Sequence, residues 1–538
     1  MRPARRGCPR KRGTLILTLA LCAASCTMVG PDYQPPAVQV NASWLAEDAA
    51  ALSTAPADYR RWWAAFNDPV LDELIALALR QNLDVQTAGL RVLQARAALG
   101  VAVGDFYPQN QQAFGGITYN RTSERSPQTP EQSASFYRFW ADQLGVQVAW
   151  ELDFWGKFRR GIEAADAAFL ASVAAYDAAL VTLTSDVAAN YVDIRTIERR
   201  LDIARENAAV QREALDIARI RFEGGVTSER DVAQAQTVLF STEATIPQLE
   251  DALRQAKNAL NLLLGVPPGT VDAMLTRASG IPAVPAQVAV GIPADLLRRR
   301  PDVRQAELTA VQQSARIGFV KADLYPAISL TGSFGFLASD WQRYDLADLF
   351  LAKSRNYSVG PSFQWNLLNY GRITNDVRLQ DARYQESLVA YQTAVLAAQR
   401  EVEDGLSTFW RAQQRTRLLQ QSAAAAQRSR RLAFLQYSEG ITDFTTVLTA
   451  EQNVLAQEDS LAQSQGEIPR GLIQVYRALG GGWDPSDERQ FVPAKTRDVM
   501  ATRTDWGNLL TPVNLLEPAA PPLPGVEDVN ADVRRPEW

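Results

Sequence analysis

Histidine is absent from this 538-residue chain. That excludes Ser-His-Asp and Cys-His nucleophile chemistry and every histidine-containing metal site. Cysteine is scarce, with three residues, Cys8, Cys22 and Cys26, all near the N-terminus. Neither sign of charge dominates: 55 basic residues face 60 acidic ones for a net charge of −5, so nothing argues for a nucleic-acid partner. The apolar run "LILTLALCAA", Leu15 to Ala24, is too short to span a bilayer as a helix.

What is present at the N-terminus explains those cysteines. Arg2, Arg5, Arg6, Arg10, Lys11 and Arg12 precede the apolar run, the pattern of an export signal. Cys8 and Cys22 lie inside the signal and are lost on cleavage. Cys26 follows Ala23-Ala24-Ser25, the small residues that a lipoprotein signal peptidase accepts, so residues 1–25 are expected to be removed and Cys26 lipidated. A Leu three residues before the cysteine would be usual, and Ala23 stands there. Cys22 has Leu19 at that spacing, but the bulky Leu21 before it argues against cleavage. The alternative is an ordinary secretory cut that leaves a free cysteine. Lipidation leaves none for disulfides in an oxidising compartment. Thr27, in place of an inner-membrane retention Asp, directs the expectation to the outer membrane.

The body of the chain is duplicated. "NLDVQTAGLRVLQARAALGVAVGDFYP" (Asn82–Pro108) matches "RPDVRQAELTAVQQSARIGFVKADLYP" (Arg300–Pro326), with Asp84 on Asp302. "VQVAWELDFWGK" (Val146–Lys157) matches "PSFQWNLLNYGR" (Pro361–Arg372), and "RFEGGVTSERDVAQAQ" (Arg221–Gln236) matches "QYSEGITDFTTVLTAE" (Gln436–Glu451). The offset changes between Pro108 and Val146, which locates a length difference in an exposed loop.

Two periodicities alternate within each copy. Leu144, Val146, Val148, Trp150, Leu152 and Phe154 interleave with Gly145, Gln147, Ala149, Glu151 and Asp153. The second copy repeats this with Tyr357, Val359, Phe363, Trp365 and Leu367, and upstream with Ile328, Leu330, Phe334 and Phe336. Such alternation predicts strands with one apolar and one polar face. The fourth candidate strand, Gln109–Asn120, carries the weakest pattern. Hairpin tips are expected near 122–135 and 339–354.

Arg159 to Phe222 and Thr374 to Tyr437 contain no Pro and one Gly each, Gly161 and Gly405, which predicts two helices of about 95 Å. Shorter helices are expected over 69–104, 294–320, 228–264 and 443–479, the last two bent at Pro247 and Pro469. Gly225 and Gly440 suit the left-handed position that ends a helix, and Thr227 or Ser228, and Thr442 or Asp443, are N-cap types.

The expected organisation is therefore a signal (1–25), a lipidated extended segment (26–68), a first repeat (69–266, hairpin about 107–154) and a linker (267–293). A second repeat (294–482, hairpin about 325–369) and a Pro-rich tail (483–538) follow. The fold class is mainly α with a membrane β-barrel portion. A barrel closed in lipid needs about eight strands or more, and one chain supplies four. Three copies would give a twelve-stranded barrel, continued by a cylinder of long helices.

Taken together, "CTMVGPDYQPP", "WWAAFNDPVLDELI" (Trp62–Ile75), "GIPADLLRRRPDVRQAE" (Gly291–Glu307), "LDFWGK", "LLNYGR" and "YRALGGGW" (Tyr476–Trp483) resemble the outer membrane factors, TolC-like channels. They look like the lipoprotein branch that serves resistance-nodulation-division efflux pumps, OprM-like or NodT-like proteins. The resemblance covers about Cys26 to Trp483. It implies a homotrimer in outer-membrane lipid, a periplasmic adaptor and an inner-membrane transporter as partners, a passive pore, and no cofactor. Carried onto this chain, the adaptor-docking tips are Phe222, Gly225, Val226 and Thr227, and Tyr437, Gly440, Ile441 and Thr442. Family members often close the periplasmic end with carboxylates on the second long helix. Here that region reads "AAAAQRSRRLAFLQ", so Arg428 and Arg431 are candidates for a constriction, against the plain alternative of a solvated helix face.

Three rival readings have less support. A structural periplasmic coiled-coil lipoprotein would not need strands with aromatic faces, and a general porin has no use for the helices. An exported enzyme would need a nucleophile, base or metal cluster beside "RRRPD" (Arg298–Asp302). Within the family, the channel of a type I protein secretion system is the alternative to drug-type efflux.

Overall fold

The computed structural model describes residues 28–38, 40–41, 44–45, 52–53, 59–121, 138–285, 288–289, 299–340, 345–484 and 488–514. The expected signal, Cys26 and the tip of the first hairpin lie outside these residues.

Helix α1 (Pro69–Gln81) and helix α2 (Leu83–Gly104) are separate, where sequence periodicity suggested one helix over 69–104. The break is chemical. Asn82 leaves the helical region at ψ 133°, and its side-chain oxygen accepts from Val85 N at 2.8 Å as an N-cap. Strands β1 (Asn110–Arg121) and β2 (Arg138–Leu152) follow, then α3 (Lys157–Glu223) and α4 (Glu229–Leu263). The second copy comprises α5 (Pro301–Lys321), β3 (Ala327–Ser339), β4 (Arg355–Gln364), α6 (Arg372–Ser438) and α7 (Phe444–Ala478). Helices α3 and α6 are each 67 residues long, so each extends about 100 Å. Helices α4 and α7 run unbroken through Pro247 and Pro469.

The four strands form one antiparallel sheet in the order β1-β2-β3-β4. Its register sorts the side chains by chemistry. One row across the sheet is Gln112, Gln147, Ser333 and Ser358, with Gln147 Nε2 donating to Gln112 Oε1 at 3.0 Å and the two serine hydroxyls 2.9 Å apart. The adjacent row, on the opposite face, is Ala113, Val146, Phe334 and Tyr357. Val146 is 51% exposed and Tyr357 78%, so the described residues leave this part of the apolar face open, while nearer the hairpin tips Phe336 packs on Phe350 and Ala338 is buried. The weakly patterned first strand is present at full length. In contrast, β4 ends at Gln364; Trp365 and Leu367, which share its alternation, lie past the ladder in an irregular segment.

The helices form a single layer. Helix α3 packs against α2 and α5 near the sheet and against α4 and α7 further away, whereas α6 packs mainly on α5 and α7. This asymmetry explains why α3 contributes 28 buried residues and α6 only 13 from equal lengths. The main core sits at mid-height, where Trp62, Trp63, Phe66, Leu71 and Leu74 pack among Tyr191, Phe409 and Tyr476. Glycines let α6 and α7 approach there: a Cβ on Gly471 would fall 2.9 Å from Phe409 Cα, and one on Gly405 3.2 Å from the Val475 backbone.

The expected linker and tail are partly built into this body. Val271 and Leu275 are buried, and the Leu275 carbonyl accepts from Arg195 at 2.9 Å. The tail forms helix α8 (Ala494–Arg503), and Phe491, Val492 and Met500 pack against Val92, Leu99 and Phe169. Arg489 is paired with the buried Asp177, one of its contacts being 3.0 Å.

Candidate functional site

The two turns far from the sheet are built alike. Helix α3 ends with Gly225 at φ +72°; Gly225 N donates to Phe222 O at 2.9 Å and Val226 N to Arg221 O at 2.9 Å. Helix α6 ends with Gly440 at φ +74°, with Gly440 N donating to Tyr437 O at 3.1 Å and Ile441 N to Gln436 O at 2.8 Å. Both are helix-ending motifs in which a left-handed residue turns two amides back onto the last carbonyls. No atom lies within 4 Å of a Cβ built on either glycine, so the demand is conformational and not one of space.

The returning helices are capped differently. Asp443 Oδ1 accepts from Thr446 N at 3.1 Å and from Thr446 Oγ1 at 2.8 Å, which holds its carboxyl below the usual range. Ser228 occupies the matching place without a side-chain cap, and the Thr227 hydroxyl instead donates to Asp231.

Arg221 joins the two turns. Its guanidinium donates to Tyr437 O at 2.8 Å and lies 4.3 Å from the centroid of the Tyr437 ring, which in turn sits 5.0 Å from that of Phe444. Tyr437 is therefore a packing residue, 5% exposed, within a cluster of Leu215, Ala218, Leu239, Ala433, Phe444 and Val447. Val226 and Ile441, by contrast, are 67% and 75% exposed, and Phe222 is half-exposed beside them. Thr227 and Thr442 are partly buried at the returning corners. The result is a pair of rigid knuckles, apolar at their summits and fixed side by side. Arg428 and Arg431 lie on the exposed surface of α6 just above. Arg221 was legible only as a basic residue in a last turn; its aim at a carbonyl 216 residues away is tertiary.

At the other end, the N-terminal segment is fastened to the wall. Val29 N donates to Trp155 O at 3.0 Å, and the buried Arg160 donates to Asp32 and Glu163 at 2.7 Å each and to Val29 O at 3.3 Å. Tyr33 meets Glu307, and Val38 packs with Val303 and Val395. Gly30, at φ +107°, lies against Gly318 with no room for a Cβ. Met28 consequently sits against Gly156, where β2 passes into α3. Among the described residues no cluster of His, Cys, Asp or Glu that could hold a metal ion occurs.

A duplicated subunit with four unclosed strands, an apolar sheet face left largely open by the described residues and a layer of very long helices defines a class: segments of an oligomeric duct through a bacterial outer membrane. A model of the family described as "outer membrane efflux protein" matches residues 74–266 and 292–481, and the chain belongs to that family. It is 30% identical over 458 residues to nodulation protein T of Rhizobium leguminosarum bv. trifolii, covering 85% of this chain and 95% of that protein. It is 28% identical over 481 residues to the probable efflux pump outer membrane protein SepC of Pseudomonas putida, covering 87% and 97%. Among solved structures, the outer-membrane channel OprN superposes with a TM-score of 0.78 at 31% identity, covering 85% of this chain and all of that one. The protein is an outer-membrane efflux component, in a family of channel proteins.

Proposed function

We propose that three copies of this chain close a twelve-stranded barrel and a helical cylinder, forming the passive exit duct of a tripartite efflux pump. The knuckles dock a periplasmic adaptor, which connects the duct to an inner-membrane transporter of the resistance-nodulation-division type. The exported compounds are drugs or other small toxic molecules. No catalytic group takes part. The observation that carries this reading is the pair of matched turns, with apolar summits at Val226 and Ile441, held level by Arg221 at the end opposite the sheet. Such summits suit insertion between the helices of a second protein, with Phe222, Gly225, Thr227, Gly440 and Thr442 shaping the contact and Tyr437 supporting it from within.

Cys26 carries the lipid in this reading. Two residues downstream, Met28 is pinned at the junction of β2 and α3, a position that suits a lipid anchor at the membrane boundary. Arg428 and Arg431 line the periplasmic constriction. Replacing both by Ala is expected to move single-channel reversal potentials under a salt gradient toward cation preference; no movement would remove them from the pore.

The deciding experiment is the mass of the detergent-extracted mature protein, corrected for bound detergent. Three copies, found only in outer-membrane fractions, are expected. A monomer released without detergent would overturn the duct.

A further inference from the structure

Helices α3 and α7 meet along the seam between the two repeats, and their register can be followed pair by pair. Asp186 meets Arg477 at 2.9 Å, Asp193 meets Arg470 at 2.8 Å, and Thr196 abuts Gly466. Nearer the knuckles, Arg200 binds Asp459 at 2.6 Å and Asn207 binds Glu458 at 2.9 Å. Continued toward the knuckles, the mean register of these antiparallel pairs brings Gln211 and Glu451 to about the same level. Each is 2% exposed. Both polar atoms of the Gln211 amide and Oε2 of Glu451 have no hydrogen-bond partner among the described residues. The polar pairs named above this level are matched, and these two side chains are not.

The surroundings offer little to an anion. From α3 and α4 the tip cluster presents Ala208, Ala214, Leu215, Ala235, Val238 and Leu239. On α3, Arg212 is committed to Glu243 and Glu213 is exposed. On α7 itself, Glu458 is held by Asn207 and by Gln427 of α6. From α6, only Arg430 reaches Glu451 with its field, and it does so weakly. Burial therefore dominates and pushes the Glu451 carboxyl from 4.5 up to about 7.

We propose that Glu451, buried and unpaired near the level of Gln211 on the α3–α7 seam, is a proton-controlled latch that holds the periplasmic end shut when protonated and loosens it on ionisation. The inference rests on the duct reading above. Separation of the seam hydrates both side chains and returns Glu451 toward the ordinary glutamate range. The closed form thus binds the proton more tightly, and acid favours it. As pH rises from the ordinary glutamate range to about 7 the closed form loses ground, and above that the effect levels off. Each protomer should shift its opening equilibrium by roughly tenfold or more across that window.

The test uses full-length trimers with paired spin labels at Glu213→Cys and Gln452→Cys, both exposed positions on facing helices. Inter-label distances are recorded at pH 5 and pH 7.5, with conductance measured on the same preparation. A larger wide-distance population at pH 7.5, abolished by Glu451→Gln and moved to higher pH by Gln211→Leu, is the expected result. An unchanged wild-type distribution, or the same pH response in Glu451→Gln, would overturn the latch. Failure of the duct reading would appear separately, as monomers or as no conductance at either pH.

Discussion

Gly440 shows how one residue controls the docking end. Its φ of +74° lies where a Cβ crowds the backbone, while the space around it is empty. Gly440→Ala should therefore cost about 1–2 kcal/mol locally, and Gly440→Asn less. Amide exchange over residues 436–446 is expected to quicken, with exchange in the mid-height core unchanged. Equal quickening in both regions would show that the turn is coupled to the whole subunit. The glycine, the β-branched residue and the threonine of this motif were readable because helix ends make the same demand wherever they occur. That Tyr437 is buried and Ile441 exposed, three residues before and one after Gly440, follows from the packing of Tyr437 against Arg221 and Phe444, which composition does not encode.

At the scale of elements, the segment after the second repeat is bound by a buried ion pair. Asp177 is 1% exposed and Arg489 8%, among Tyr176, Trp483 and Phe491. Asp177→Leu strands a buried guanidinium and should destabilise this docking by about 3–5 kcal/mol, while Asp177→Leu with Arg489→Met should recover most of it. Limited proteolysis within 484–514 reads the difference: rapid cleavage in the single variant, near wild-type protection in the double. Comparable protection in all three would mean that Phe491, Val492 and Met500 alone hold the segment. The sequence offered only a Pro-rich, charged tail here, because an ion pair between residues 312 positions apart has no local signature.

For the whole molecule, the exposed surface foretells assembly. Leu367, Leu368 and Tyr370 are 68%, 83% and 96% exposed just past the end of β4, and α6 leaves Leu379, Val389 and Leu396 half-uncovered below them. Helix α2 and strand β1 form the other margin of the layer, with Val101 and Ile117 similarly bare. Two apolar margins on opposite edges of one wall suit head-to-tail closure with further copies. Leu368→Asp is accordingly expected to shift the detergent-extracted protein from trimer toward monomer by native mass measurement. Trimers of wild-type stability would place this residue outside the contact.

By itself, the sequence determined the duplication, the four alternating strands, the long helices and the glycine turns. Each is a short-range regularity, set by backbone geometry and repeated hydropathy. The tertiary structure decided which residues of those motifs face outward and which serve as packing. It also decided that Arg221 joins the turns, that Asn82 splits the first helix, and that Glu451 and Gln211 are both buried on helices that meet along one seam. Those outcomes depend on the register and rotation of helices brought together from opposite halves of the chain. Local pattern fixes the elements; only their mutual packing fixes what each side chain meets.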